Sequence, residues 1–245
     1  MEKNKTKISP HGLYHVVSRA IEERKIFAKQ KDIFRFVFQA YAANIGSPIK
    51  NVYRKGFTKA GRDILQGREF QKNLIIVEHP PLVWHLSFVF VVTHFHEIIM
   101  AQNLENVSKY LQKRHTGFAK YFNLRYGRRN NLFERPVKIV PIQDETQLEA
   151  VLRYVNIINV LDVYDPKWRK KGLRDPEEAF KFIENYPFSS FPDLFGQRNS
   201  KLIAPSEIIK KFLGDNIREK KIDYIKGYQE FLEEQVKKFQ DVCIE

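Results

Sequence analysis

The sequence contains a single cysteine, Cys243. One cysteine cannot close an intramolecular disulfide, and such scarcity is typical of proteins in a reducing cytoplasm. Acidic residues are also in deficit, with 29 Asp and Glu against 42 Lys and Arg, which gives a formal net charge of +13. This excess of positive charge favours an anionic partner, and nucleic acid is the simplest one.

Long hydrophobic runs are missing as well. The longest apolar run, near residues 86 to 92, is far too short to cross a membrane. The first ten residues are polar and basic, so they do not have the pattern of a secretory signal. Hydrophobic residues make up 43% of the 245 residues and include 20 Phe, which predicts a folded chain with a substantial core. We therefore expect a cytoplasmic protein with no membrane partner.

The most apolar stretch, residues 82 to 100, contains His94-Phe95-His96. Alternate side chains of a strand point to the same face, so His94 and His96 would project together while Phe95 turns into the core. Two imidazoles about 6 to 7 Å apart at Cβ can ligate one divalent metal ion. Such pairs are also common by chance, and on the pair alone two ordinary histidines at a strand edge are the simpler interpretation.

Two kinds of periodicity divide the first part of the chain into helices and strands. Apolar residues at three- and four-residue intervals predict amphipathic helices over residues 29 to 43 and 104 to 126. Apolar runs predict strands over residues 13 to 17, 73 to 77, 83 to 92, 95 to 100 and 132 to 142. Residues 44 to 72, rich in Gly, Lys and Arg, are expected to form an inserted basic loop with at most one short helix.

A third helix is predicted to begin after Asp144, with Gln147 at the capping-box spacing. Its buried stripe would be Leu148, Val151, Leu152 and Val155, and Tyr154 would lie on the flank of that stripe. The order of strands and helices predicts an α+β protein, an antiparallel sheet with helices packed on one face. We expect one domain over residues 1 to 200 and a helical C-terminal extension over residues 201 to 245.

Several segments together resemble the single-tyrosine transposases of the HUH superfamily, and most of all the REP-associated tyrosine transposases. The resemblance lies in residues 11 to 20, 93 to 99, 107 to 113, 121 to 134, 152 to 155 and 166 to 168. It covers most of residues 10 to 200 in order, and leaves out the insert at 44 to 72 and the tail.

The resemblance implies a ferredoxin-like core that binds single-stranded DNA, often beside a hairpin, and cuts and rejoins it. It also implies that His94 and His96 hold a divalent metal, Mg²⁺ or Mn²⁺, and that Tyr154 is the nucleophile. Tyrosine has a pKa near 10, so its hydroxyl needs such help to attack a phosphodiester at neutral pH. The product would be a 5′ phosphotyrosine link, which rejoins strands without a nucleotide cofactor.

The chain departs from the family pattern at two positions. Thr93 stands where the family commonly has Asn before the first histidine. Ile158 stands one turn after the nucleophile, where the family usually has an Asn or Gln as third metal ligand. A one-residue π-bulge after Tyr154 would bring Asn159 to that place. Glu97 should point away from the histidines and is not expected to be a ligand.

For contacts to DNA we expect a set of basic side chains that match the family in chain order or share a helix side: Arg19, Lys109, Lys113, Arg128, Arg129, Arg135 and Lys138. Two other interpretations of the chain stay open. One is a DNA-binding descendant of the family without catalysis, in which the substituted third ligand has ended the chemistry. The other is an RNA-binding domain of the same topology, although no strand carries the aromatic signature of such domains.

Overall fold

A computed structural model of the chain describes residues 12 to 49 and 56 to 215, together with positions 217, 221, 225 and 243. Its strands are β1 (Gly12–Arg19), β2 (Gly46–Pro48), β3 (Ile75–Val77), β4 (Trp84–Phe90), β5 (His94–Ala101) and β6 (Lys138–Ile142). Its helices are α1 (Gln30–Ile45), α2 (Phe57–Leu65), α3 (Leu104–Arg125), α4 (Glu145–Arg153), α5 (Asn159–Tyr164), α6 (Trp168–Lys171), α7 (Pro176–Asn185), α8 (Phe191–Leu194) and α9 (Ser206–Leu213). A π-helical turn, Tyr154–Ile158, joins α4 to α5.

The main sheet has the strand order β4-β5-β1-β6, and each neighbouring pair is antiparallel. The predicted α+β class with an antiparallel sheet is confirmed. The last strand is shorter than predicted, because it begins at Lys138, after Pro136, which has no N–H to donate to a ladder. It lies at the edge of the sheet, as a proline near a strand indicates.

Strand alternation gives the sheet two different faces. On β5, His94, His96 and Ile98 point to one side, which we call the histidine face. Phe95 and Glu97 point to the other side, which we call the opposite face.

The opposite face is covered by α1 and α3 through closely packed aromatic rings. The ring of Phe36 in α1 lies 4.6 Å from that of Phe95 and 5.0 Å from that of Phe118 in α3, measured between centroids. The three rings are almost fully buried. Aromatic pairs at such distances contribute about 0.5 to 1.5 kcal/mol each beyond the area that they bury. This core holds β5 rigidly from behind.

The histidine face is covered as well, by α4, the π turn and α5. Val155 and Ile158 join Leu86, Val89 and Ile98 in one buried cluster. The sequence predicts helices on one face of the sheet, whereas the structure has helices on both faces. The sequence of β4 explains this, because six of its seven residues are buried and a strand covered on both faces has a nearly continuous apolar run.

The stretch that the sequence analysis treated as an inserted basic loop contains β2 and α2, with residues 50 to 55 outside the described part. Helix α2 is the one short helix allowed for, but it belongs to the core. Phe57 stacks on Phe38 of α1 with ring centroids 4.4 Å apart, and Ile64 and Leu65 are buried. Apolar side chains at positions i, i+7 and i+8 lie on one helical side, which explains the packing.

Glu97 and Arg114 form a buried ion pair on the opposite face. Arg114 Nη1 lies 2.7 Å from Glu97 Oε2 and 2.7 Å from the Tyr110 hydroxyl, and His85 Nε2 lies 3.2 Å from the same carboxylate oxygen. Burial opposes the charged form of Glu97, but Arg114 and His85 outweigh it and hold the pKa of Glu97 at about 2. As predicted, Glu97 points away from the histidines.

Of the predicted C-terminal tail, the described part is residues 201 to 215 with positions 217, 221, 225 and 243, and it contains helix α9. No helix in the described ranges is both long enough and apolar enough to cross a membrane.

Candidate functional site

The strand register assembles charged and titratable side chains at one end of the histidine face. Arg19, the last residue of β1, pairs with His94, and Val17 pairs with both His96 and Lys138. Residues paired across antiparallel strands point to the same face. Arg19 and Lys138 therefore lie beside the two histidines.

Each histidine of the pair is held through its Nδ1 atom. His94 Nδ1 lies 2.9 Å from the Thr93 hydroxyl, and His96 Nδ1 lies 3.1 Å from Nε2 of His15 on β1. The rings of His94 and His96 are 5.0 Å apart, and His15 stacks on His96 at 5.3 Å. A hydrogen bond at Nδ1 orients an imidazole and leaves Nε2 as its outward nitrogen. Thr93, a departure from the family pattern, thus orients the first histidine.

Both histidines are neutral at physiological pH. Burial lowers the pKa of His94 to about 4, with a smaller effect of Arg19 in the same direction. Burial also holds the pKa of His96 well below its usual range, and the neighbouring His15 and His94 act in the same direction. Neutral imidazoles keep a lone pair, which is the form that binds a metal ion.

The structure brings Tyr154 to His96 of this pair and to His15. Its ring centroid lies 5.5 Å from that of His96 and 6.3 Å from that of His15. Tyr154 is 1% exposed and His96 is fully buried. The three side chains from β1, β5 and the π turn therefore form one closed cluster under the helical layer.

The helix is π-helical over Tyr154–Ile158, which is the local change that would be needed to bring Asn159 to the position of Ile158. The Asn159 N–H donates to the Tyr154 carbonyl, five residues back. The extra residue in the turn rotates Asn159 toward the line through Tyr154 that Ile158 would occupy in an α-helix. Asn159 Nδ2 also donates to the Tyr154 carbonyl, at 3.0 Å, so the backbone and the side chain of Asn159 bind the same oxygen.

A buried polar network anchors the π turn to the sheet. Asn156 Nδ2 donates to the Leu152 carbonyl at 2.9 Å and to the Ser87 hydroxyl on β4 at 2.8 Å. Its Oδ1 accepts from the Ser190 hydroxyl at 2.8 Å, and the two hydroxyls lie 2.8 Å from each other. A π turn disturbs the regular backbone ladder, and the side chain of Asn156 supplies a donor to one of the affected carbonyls.

Replacing Asn156 with Ala is expected to lower the free energy of unfolding by about 1 to 3 kcal/mol, because it removes the shared partner of two buried hydroxyls. Asn185→Ala is the matched control: Asn185 Nδ2 also donates four residues back, to the Lys181 carbonyl at 2.7 Å, but on the exposed surface. Urea denaturation followed by circular dichroism measures both variants. Equal losses in the two variants would contradict a special role of the buried network.

The other side chains predicted to contact DNA are spread over the molecule. Lys109 and Lys113 lie on α3, which covers the opposite face, and Lys113 Nζ lies 3.4 Å from Glu78 Oε2. Arg128 and Arg129 follow α3, and Arg135 precedes β6. The structure thus brings Arg19 and Lys138 to the histidines and places Lys109 and Lys113 away from them, since a helix behind the sheet cannot reach its front.

Two histidines and an amide are the side chains that could hold a metal ion here. His96 Nε2 is buried and has no hydrogen-bond partner among the described residues, which is the state expected of an imidazole nitrogen prepared for a metal. The described ranges contain no cluster of three His, Cys, Asp or Glu side chains arranged for a metal.

Sequence reasoning missed His15, Ser87, Asn156 and Ser190. His15 shares its strand face with Leu13 and Val17, so this face could be read from the sequence, but its contact with His96 depends on the pairing of β1 with β5 across 81 residues. The serine and asparagine contacts join three distant segments. No local pattern encodes such a meeting.

No protein-family model matches the sequence, and no curated protein matches it. Among solved structures, the chain is similar to a REP-associated tyrosine transposase bound to a REP hairpin. The TM-score is 0.40 and the sequence identity 10%, over 79% of this chain and 85% of that chain.

Proposed function

We propose that the chain is a metal-dependent transesterase acting on single-stranded DNA near hairpins, with Tyr154 as nucleophile. The observation that carries this proposal is the meeting of Tyr154 with His96, at 5.5 Å between ring centroids, beside two basic side chains. A phenol, neutral imidazoles and cations are the groups that phosphodiester transfer by a tyrosine requires.

In the proposed reaction, Tyr154 Oη forms a bond to phosphorus and the bond from phosphorus to the 3′ oxygen breaks. The phenol loses its proton, and the leaving 3′ oxygen gains one, so the products are a 5′ phosphotyrosine and a free 3′ hydroxyl. Arg19 and Lys138 would bind the phosphate oxygens that flank the reacting group. The reverse attack by a 3′ hydroxyl rejoins the strand.

His94 and His96 would hold Mg²⁺ or Mn²⁺ through Nε2, oriented by Thr93 and His15, with Asn159 as a third ligand. When bound, the ion stabilises negative charge on the phosphate and on the leaving oxygen. The burial of Tyr154 adds a requirement: the segment from α4 to α5 must move before a phosphate can reach the hydroxyl.

A denaturing gel tests the proposal. The full chain is incubated with a labelled oligonucleotide that carries a hairpin and a single-stranded flank, with Mn²⁺ or with EDTA. We expect a labelled band that migrates with the protein after boiling in detergent, in the Mn²⁺ sample alone. Absence of this band across hairpin sequences and both metals would contradict the proposal.

A second candidate function is DNA binding without cleavage. The observation that favours it is the closure of the site, since Tyr154 is 1% exposed and His96 is fully buried. It predicts salt-dependent binding of single strands with no covalent band. The same gel, read beside a binding assay, separates the two functions.

A further inference from the structure

A second basic surface lies apart from the histidines. The residues that line it include Arg24, Lys25, Lys29, Asp32, Tyr126 and Arg128, and we call this concavity the basic cleft. Of its four basic side chains, Arg128 is among the residues predicted from the sequence to contact DNA, and Arg24, Lys25 and Lys29 are not. The N-terminal end of α1 and the segment after α3 form its walls.

The positive charge of the cleft is not cancelled from within. Asp32 is its carboxylate, and it already accepts from the hydroxyls of Tyr121 at 2.7 Å and Tyr126 at 2.5 Å and lies 3.6 Å from Arg125 Nε. Arg24 bonds Glu22, whose side chain is 72% exposed, at 2.9 Å. An exposed ion pair of this kind is weak and leaves Arg24 able to exchange its partner.

Two guanidinium groups lie close together in the cleft. Burial lowers the pKa of Arg128, and the neighbouring charge of Arg24 lowers it further. Arg128 donates to the neutral Oδ1 of Asn123 at 3.0 Å, and the buried Nε of Arg24 has no hydrogen-bond partner among the described residues. The exposed Glu22 carboxylate that bonds Arg24 also acts on Arg128 and partly offsets the lowering of its pKa. Two arginines that share one exposed, weakly held carboxylate match the oxygens of a phosphate group, which can replace that carboxylate.

The cleft is continuous with the histidine site through the backbone. Arg19 pairs with His94, and the next residue, Ala20, donates its N–H to the Thr93 carbonyl at 2.9 Å. Phe27 donates its N–H to the Val92 carbonyl at 3.0 Å, so the segment that carries Arg24 and Lys25 wraps around the turn between β4 and β5. A strand bound at the histidines could continue past this turn into the cleft.

We propose that the basic cleft binds the phosphate backbone of the DNA strand that flanks the reacting phosphate. This inference rests on the proposed DNA substrate and names a separate surface for it. Arg24 and Arg128 bind one phosphate, and Lys25 and Lys29 bind its neighbours from the rim. Contacts of this kind position a strand and contribute affinity that depends on salt, without reading its sequence.

Fluorescence anisotropy over a series of NaCl concentrations tests this inference. The protein is the full chain with Tyr154→Phe, without metal, and the probe is a labelled DNA hairpin with a single-stranded flank. We expect Arg24→Gln with Arg128→Gln to weaken binding by about tenfold and to make the slope of log K against log salt shallower by about 0.7 to 0.9, the value for one lost phosphate contact. Lys210→Gln with Lys211→Gln removes the same charge from α9, which follows the segment bonded to His85 at the far end of β4, and should change neither.

Unchanged binding in the arginine pair, or an equal loss in both pairs, overturns the inference. A loss seen with RNA of the same sequence but not with DNA also overturns it. If the arginine pair fails to fold, Lys25→Gln with Lys29→Gln at the exposed rim gives the same comparison. Because binding is measured without metal or cleavage, a missing covalent band would contradict the proposed chemistry without changing the outcome of this binding comparison.

Discussion

Tyr154→Phe is expected to abolish the covalent band completely while leaving the affinity for the DNA hairpin within about twofold. The phenyl ring keeps the volume that packs against His96 and His15, so the cluster of buried side chains is preserved. The substitution removes one hydroxyl, and losing its hydrogen bonding should cost about 1 kcal/mol of stability. The nucleophile, however, is gone, and no phosphotyrosine can form. Denaturing gels and anisotropy measure the two properties on the same preparation.

Tyr164→Phe is the matched control. Tyr164 ends α5, the helix that follows the π turn, and its hydroxyl donates to Glu178 at 3.0 Å on the surface. The covalent band should persist in this variant at the level of the parent. A band that survives in Tyr154→Phe would mean that another side chain attacks, and the assignment of the nucleophile would then be wrong.

Arg114→Met is expected to lower the free energy of unfolding by about 3 to 5 kcal/mol, the largest stability effect that we predict for one substitution. Arg114 is 1% exposed, and its removal leaves the Glu97 carboxylate buried without the guanidinium, with the His85 imidazole 3.2 Å away. A buried charge without a close partner costs far more than the lost contact itself. In the native protein the Arg114 guanidinium carbon lies 4.5 Å from the centroid of the Phe95 ring, and methionine fills a similar space against that ring.

Two further variants separate charge from packing. Adding Glu97→Gln to Arg114→Met removes the orphaned charge and should recover most of the loss. Lys59→Met breaks a pair in which the Lys59 side chain is 79% exposed and lies 3.1 Å from the buried Asp63. Asp63 keeps Arg68 as a partner at 2.8 Å, so this variant should cost less than about 1 kcal/mol. Urea denaturation measured by circular dichroism follows all three. If the double variant is as unstable as Arg114→Met, shape and not charge governs this site.

The parts of the fold with a local pattern could be predicted from the sequence. The cap of α4 is an example: Asp144 Oδ1 accepts from the Gln147 N–H at 2.8 Å, at the predicted capping-box spacing. The alternation of His94 and His96 about Phe95 also follows from strand geometry alone. In each case the residues that decide the structure are within a few positions of one another.

The parts that depend on distant pairing could not be predicted. His15 becomes the partner of His96 because β1 lies next to β5, and a different strand order would have left the two rings apart. The second helical layer was missed for a related reason. An apolar run like that of β4 fits a strand buried on one face or on two, and tertiary packing decides between them.

The closed cluster around Tyr154 has a consequence for the resting protein. A nucleophile that solvent cannot reach is equally hidden from bystander phosphodiesters, so under the proposed function an idle copy would be latent. The apparent affinity for DNA and metal would equal the affinity of the open form multiplied by the fraction of molecules that is open. The site would therefore open only for a strand that binds elsewhere on the surface tightly enough to displace the segment from α4 to α5.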